Sequence, residues 1–311
     1  MFDTINFRLT QEEAGGVDFL AEIPCYLENV GEHYFDGSPC ISGSLNGLKV
    51  TANSNQVKIK DGSLCKFALG DNYQTLGRKD TKQAIEQLSD MLHLPIDKAI
   101  VTRLDIAQNF VLKHPTAVYL NHLGALRYAV RLQEPTGIYY KYSDGRVCIY
   151  DKNKEQTRHK EPIPELYKGR NVLRVEQRYT QRIASRLEVP KVTGAMLYDE
   201  AFYINLLNRW RDTYRAIHKI NDVTFNFEAM TTKSKLMQMG IVSLAEQMGG
   251  QLEMIAHINE AQKRGDLSKK QAFDLRKAVN DAFQIKEGLI VPSEVMQELD
   301  KKINEAVRFY R

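Results

Sequence analysis

Three segments of the chain alternate between apolar and ionisable residues with a period of two, the spacing of a β-strand with one face in a core and one face out of it. In Ile100–Asn109 one face carries Ile100, Leu104 and Ile106, and the other carries Arg103, Asp105 and Asn109. In Arg146–Lys152 the apolar face is Val147 and Ile149, and the opposite face is Arg146, Cys148, Tyr150 and Lys152. In Leu173–Tyr179 it is Leu173, Val175 and Tyr179 against Arg174, Glu176 and Arg178. A half-exposed antiparallel sheet carries cross-strand Arg–Glu pairs to solvent without any further purpose. If the three strands are neighbours, however, their polar faces merge into one surface with two carboxylates, a tyrosine, a lysine and several arginines.

The surroundings predict an α+β fold. Residues 1–9 alternate around Phe2, Ile5, Phe7 and Leu9. Turn-forming pairs at Asp36-Gly37, Asn46-Gly47 and Asp61-Gly62 separate short β-prone runs, among them Leu48–Ala52, Val57–Lys60 and Leu64–Leu69, as in a series of hairpins. A helix capped by Asp80 or Thr81 carries Ala84, Ile85, Leu88, Met91 and Leu92 at helical spacing until Pro95. Pro115 opens a short helix, and Asp199–Lys219 forms a long amphipathic one, with Phe202, Leu206, Leu207, Trp210, Tyr214 and Ile217 on its apolar stripe. From Thr231 on the pattern is helical, broken at Gly249-Gly250, Gly265-Asp266 and Pro292. The expected architecture is a central, largely antiparallel sheet with covering helices over residues 1–222, followed by a helical C-terminal module at 223–311 for DNA binding or oligomerisation, with the boundary inside 221–230.

Composition narrows the class. The chain has 311 residues and 43% apolar content, enough for a real core, and no run of the roughly 18 apolar residues that a membrane helix needs. The N-terminus has no basic region followed by an apolar one, so no secretory signal is expected. Cys25, Cys40, Cys65 and Cys148 form no CxxC pair, which argues against a zinc site or a disulfide framework. A soluble protein of the reducing cytoplasm of a bacterial cell is the expectation. Net charge is only +4, yet residues 151–220 hold 15 Lys and Arg against 9 Asp and Glu. A basic middle in a near-neutral chain fits a local polyanion surface, or a solvated face with snorkelling arginines.

The polar strand faces suit phosphodiester chemistry. A tyrosine can be the covalent nucleophile, but its pKa near 10 requires activation. Carboxylates can hold Mg²⁺ or Mn²⁺ to polarise the phosphate, and a lysine can pair with a phosphate oxygen. At these residues the sequence resembles the rolling-circle replication initiators of phages and plasmids, in the branch that contains the filamentous-phage replication protein and Gram-positive plasmid initiators. The resemblance rests on Thr102-Arg103-Leu104-Asp105-Ile106-Ala107, Ile149-Tyr150-Asp151-Lys152 and Leu173-Arg174-Val175-Glu176, in the family's order. Ser63–Asn72, Thr75-Leu76 and Leu197–Trp210 are similar to a version from Bacteroides-type bacteria, and the likeness spans roughly residues 1–220.

That resemblance implies Tyr150 as the nicking residue, Asp105 and Glu176 as ligands of a divalent metal, and Lys152 as a phosphate contact. It implies single-stranded or hairpin origin DNA as substrate, touched by Arg103, Arg146, Arg174, Arg178, Lys66 and Asn72. A homodimer and a host helicase and polymerase are partners such a protein would take, with no membrane. None of the seven histidines forms a His-x-His pair, so a carboxylate-rich site is implied. Where some relatives carry a carboxylate on the strand before the first helix, this chain has Lys66, which leaves Asn72 or a histidine as third ligand. A relaxase of a mobile element, with the same chemistry, and a catalytically silent origin-binding protein are the alternatives. Tyr139, Tyr140 and Tyr142 could stack on bases or pack in the sheet. Arg158, His159, Lys160, Lys168 and Arg170 are placed in a loop that could touch phosphate. Arg209, Arg211 and Arg215 could grip DNA or be solvated, and Ile241–Gly250 reads as a helix–turn fragment for packing, dimerisation or DNA reading.

Overall fold

A computed structural model describes residues 1–220, 222–223, 231–284, 290–291 and 293–311. The predicted boundary at 221–230 lies almost wholly outside the described residues. Ten strands form one sheet: β1 (Phe2–Thr10), β2 (Glu28–Phe35), β3 (Ser38–Leu45), β4 (Leu48–Asn53), β5 (Gln56–Lys60), β6 (Ile100–Leu112), β7 (Val130–Glu134), β8 (Gly137–Lys141), β9 (Gly145–Asp151) and β10 (Asn171–Tyr179). Their spatial order is β2-β3-β4-β5-β1-β6-β10-β9-β8-β7, antiparallel throughout. The central largely antiparallel sheet is thus as expected.

Local chemistry accounts for the hairpins. Asp36-Gly37 and Asn46-Gly47 have positive φ at both residues, the conformation of the two-residue turns that match strand twist. Strand β2 carries no strand signal in the sequence, because its residues are exposed on both faces and show no buried alternation.

The helices are α1 (Phe19–Glu22), α2 (Leu64–Leu69), α3 (Arg78–Leu92), α4 (Thr116–Asn121), α5 (Lys152–His159), α6 (Ile183–Arg186), α7 (Glu200–Ala216), α8 (Lys233–Gln247), α9 (Gln251–Arg264), α10 (Lys269–Gln284) and α11 (Glu294–Tyr310). Two local expectations are corrected. Leu64–Leu69, β-prone by composition, is α2: the Ser63 hydroxyl accepts from the Lys66 amide, and Gly70 closes the helix at φ +82°. Lys66 is therefore helical. The β9 strand ends at Asp151, whose carboxylate accepts from the Lys154 amide and starts α5, so Lys152, Arg158 and His159 belong to a helix, not to a strand and a loop. The α3 cap is Gly77, with Asp80 accepting from its amide.

Apolar faces of the strands pack under α3, α7 and α11. The α7 stripe is buried as its spacing predicts, with Trp210 stacked near Phe110 (centroids 6.4 Å apart) and Tyr203 edge-on to Phe2 (5.5 Å). Helices α8–α10 share a small cluster around Ile258, Ala272 and Val279. Helix α11 returns to the large core through Met296, Leu299, Ile303 and Val307.

Candidate active site

The sheet order makes β10 the middle of the three alternating strands, with β6 on one side and β9 on the other. Register then brings the polar residues together: Arg178 lies opposite both Asp105 and Arg146, and Arg174 lies opposite both Asn109 and Tyr150. Directly paired residues of an antiparallel ladder share a face. The separate polar faces are one surface.

Tyr150 is buried, and its hydroxyl donates to Glu176 Oε2 at 3.0 Å. Glu176 is held on its other side by Arg178, whose Nε donates to Oε1 at 2.6 Å. Arg178 Nε also lies 3.8 Å from Asp105 Oδ2, and Arg103 grips Asp105 with two bonds of 3.1 and 2.6 Å. Burial drives the Asp105 carboxyl up, and the neighbouring Glu176 charge adds to this against the pull of Arg103. For Glu176 burial is outweighed by the charges of Arg178 and Arg174 and by the bonds from Arg178 and Tyr150, which hold its carboxyl down and keep it ionised. Burial, with the Glu176 charge behind it, pushes the Tyr150 phenol well above 10. As folded, this tyrosine is a protonated, oriented hydroxyl.

Two of the residues expected to contact phosphate or DNA are buried and paired inside the protein. Arg174 is 0% exposed, and its guanidinium is consumed internally by Asp3, Glu176, the Asn72 carbonyl and Asn109 Oδ1. Lys152 is 1% exposed and donates to Glu155 Oε2 at 2.8 Å and Gln156 Oε1 at 2.9 Å, so its ammonium faces its own helix. Burial lowers its pKa, and the nearby Arg174 lowers it further. Lys66 pairs with Glu161 at 2.6 Å on the rim of the site. Arg146 is exposed.

Asp3 is a site residue that the three alternating segments do not reveal. It sits on β1 and closes the cluster by pairing with Arg174 and accepting from the Ser63 hydroxyl. The sequence does carry a signal: Phe2 and Ile5, both core, are three apart rather than an even number, and a register shift falls between them. That irregularity turns Asp3 into the polar face.

Tyr150, Glu155 and Arg178 form the wall between two clefts. One, of about 640 Å³, is lined by Tyr139, Tyr142, Arg146, Arg158 and His159. The other, of about 500 Å³, is lined by Asp3, Asn72, Arg103, Asp105 and Glu176. Tyr140, in contrast, is in the core and donates to the Gly124 carbonyl at 2.7 Å. Arg209 and Arg215 are engaged by Glu188 and Asn304, and Arg211 by its neighbour Asp212.

The second cleft offers hard oxygen donors of the kind Mg²⁺ or Mn²⁺ takes. The Asn72 side-chain oxygen there is buried with no hydrogen-bond partner, which fits a third donor beside Asp105 and Glu176. Among the described residues no group of three or more His, Cys, Asp or Glu side chains is arranged to hold a metal.

Fold and site together define an α+β protein with an arginine-lined, tyrosine-bearing site on the polar face of its sheet. The Phage CRI family, described as the N-terminal part of a replication-associated protein, matches residues 1–212. The chain belongs to that family of phage rolling-circle replication initiators, and its role is in starting DNA replication. No curated protein matches the chain. Among the described residues no helix is long and apolar enough to cross a membrane.

Proposed function

We propose that this initiator nicks one strand of origin DNA with Tyr150. The observation that carries the reading is the Tyr150–Glu176 hydrogen bond at the wall between the two clefts. A strand laid across the wall presents a phosphodiester to the phenol. The Tyr150 Oη–phosphorus bond forms as the bond from phosphorus to the 3′ oxygen breaks, leaving a 5′-phosphotyrosine and a free 3′-OH. The phenol proton passes to Glu176 Oε2, which already accepts it in a hydrogen bond, and the departing 3′ oxygen takes a proton from solvent water to become the hydroxyl.

Arg178 couples phosphate binding to this transfer. In the free protein it is a main cause of the weak basicity of Glu176. A phosphate in the wider cleft competes for the same guanidinium, and each bond drawn from Glu176 raises that carboxylate's affinity for the proton. Arg146 and Arg158 supply further positive charge to the strand. Asp105, Glu176 and the Asn72 oxygen would hold Mg²⁺ or Mn²⁺; when bound, the ion supplies charge to the phosphate and favours the phenolate.

Residues 1–222 are read as the strand-transfer unit, with α11 packed onto it. Synthesis from the freed 3′-OH calls for a host helicase and polymerase. With one tyrosine in the motif, closing falls to a second subunit or to water. A relaxase of a mobile element would share this chemistry and differ in context. A second reading, a silent origin-binding protein, is favoured by one observation: guanidinium groups already occupy both carboxylates.

Incubation with a labelled single-stranded origin library and Mn²⁺, followed by a denaturing gel, decides between them. The expected result is a covalent adduct that EDTA and Tyr150→Phe both abolish while DNA binding persists. An adduct retained by Tyr150→Phe would remove this residue as nucleophile. Binding without any adduct would leave the silent reading.

A further inference from the structure

The polar face of the sheet does not end at the catalytic strands. Asn6 of β1 lies opposite Arg103 of β6, and Arg8, two residues on, lies opposite Lys58 of β5. Lys58 is paired with Thr51 of β4, and Lys60 with Lys49. Asn53 of β4 lies opposite Cys40 of β3, which lies opposite His33 of β2. Because paired residues and their i+2 neighbours share a face, the face that holds the active site runs on across the other half of the sheet.

This outer half holds a groove of about 270 Å³ lined by His33, Phe35, Thr51, Asn53, Lys58 and Lys60. Arg8, Lys49 and Lys58 are exposed, and none of Arg8, Lys49, Lys58 and Lys60 makes an ion pair among the described residues. This contrasts with the catalytic arginines, whose charge is taken up by Asp105 and Glu176. Phe35 is 75% exposed, an aromatic ring with no core to fill. The groove and the catalytic cleft adjoin along the chain: Lys60 lines the first and Asp61, Gly62 and Ser63 line the second.

We infer that the β2–β5 face is a second binding site for single-stranded DNA, which holds the strand beyond the nick while Tyr150 works on its scissile phosphate. Unpaired lysines meet the phosphates, and Phe35 and His33 offer faces on which bases stack without regard to sequence. Adjacent strands rotate by about 20–25°, so three steps from β10 to β5 turn the face by roughly 60–75°. A flexible single strand follows that turn far more readily than a duplex, whose persistence length is about 150 base pairs.

This second site rests on the strand-transfer reading only for the kind of ligand, and the test separates the two. Fluorescence anisotropy with an oligothymidylate of about 40 nucleotides compares the full chain with Phe35→Ala and with a triple variant, Lys49→Gln, Lys58→Gln, Lys60→Gln. Each is expected to weaken binding about tenfold, and the triple variant to lower the slope of log affinity against log salt by about 2. Covalent capture of a short oligonucleotide spanning only the nick site is expected to stay unchanged. If the full chain captures nothing yet the variants still weaken binding, the groove stands and the strand-transfer reading falls. Unchanged affinity and slope in both variants would overturn the groove. So would equal binding of a duplex of the same length with equal losses in the variants, since the occupant would then not be a single strand.

Discussion

At the scale of single residues, the site is organised by a fully buried arginine. Arg174 is enclosed by Asp3, Glu176, Asn109 and a backbone carbonyl, and it orients the carboxylate that orients Tyr150. A buried charge of this kind contributes little when whole and costs much when one partner goes. Arg174→Met is expected to lose about 3–5 kcal/mol in urea unfolding, because it strands the buried Asp3 carboxylate and leaves Glu176 with Arg178 as its remaining cation. Adding Asp3→Asn should recover part of that loss, and a single-variant loss below about 1 kcal/mol would show that the cluster is not a stability determinant. Tyr150→Phe removes only one hydrogen bond, so about 1 kcal/mol is expected there and the variant remains a folded control.

At the scale of elements, two short helices border the cleft that holds Asp105 and Glu176, and neither is legible as a helix in the sequence. Helix α2 depends on its Ser63 cap and Gly70 stop, and α5 on the Asp151 cap. They are tied by Lys66–Glu161, with Gln156 donating to the same carboxylate at 2.6 Å. The Lys66 hydrogen bond is the chief cause that holds the Glu161 carboxyl below its usual value, against some burial. A depressed carboxylate contributes stability above its unfolded pKa and loses it as pH falls through the folded value. Glu161→Gln should therefore be less stable than the parent at pH 7, with the gap closing below about pH 4.5. A gap that is constant from pH 7 to about pH 3 in parallel thermal melts would show that the charge of Glu161 is not what ties the helices.

At the scale of the whole molecule, the chain closes on itself. After the α8–α10 cluster, α11 packs against α7 and β6, and the Tyr310 hydroxyl reaches Thr75 Oγ1 at 3.0 Å. The α8–α9 corner also docks, with the Ala125 amide donating to the Gly249 carbonyl at 3.1 Å. A methyl group on Gly124 would come within 2.3 Å of that oxygen, so glycine is required for this approach. Leu299→Ala, in α11, is expected to cost about 2–5 kcal/mol like any central core truncation. Leu244→Ala, on α8 and 50% exposed, should stay within about 0.5 kcal/mol. Equal costs in denaturant titrations would mean that α11 is not part of the main core.

The amino-acid sequence by itself determined the three alternating strands β6, β9 and β10 and their two faces, since alternation with a period of two is a local property that burial on one side enforces. It likewise determined the helix stripe that carries Trp210 and Tyr214, and it placed Asp105, Tyr150 and Glu176 each on the polar face of its own strand. Strand order is not local. Only the tertiary structure placed β10 between β6 and β9, brought Asp3 in from the first strand, and joined the β2–β5 face to the site. It also decided which cations are free. Arg174 and Lys152 read in the sequence just as Arg146 does, but a buried charge must be paired, and the packing that buries the first two assigns them partners inside the protein.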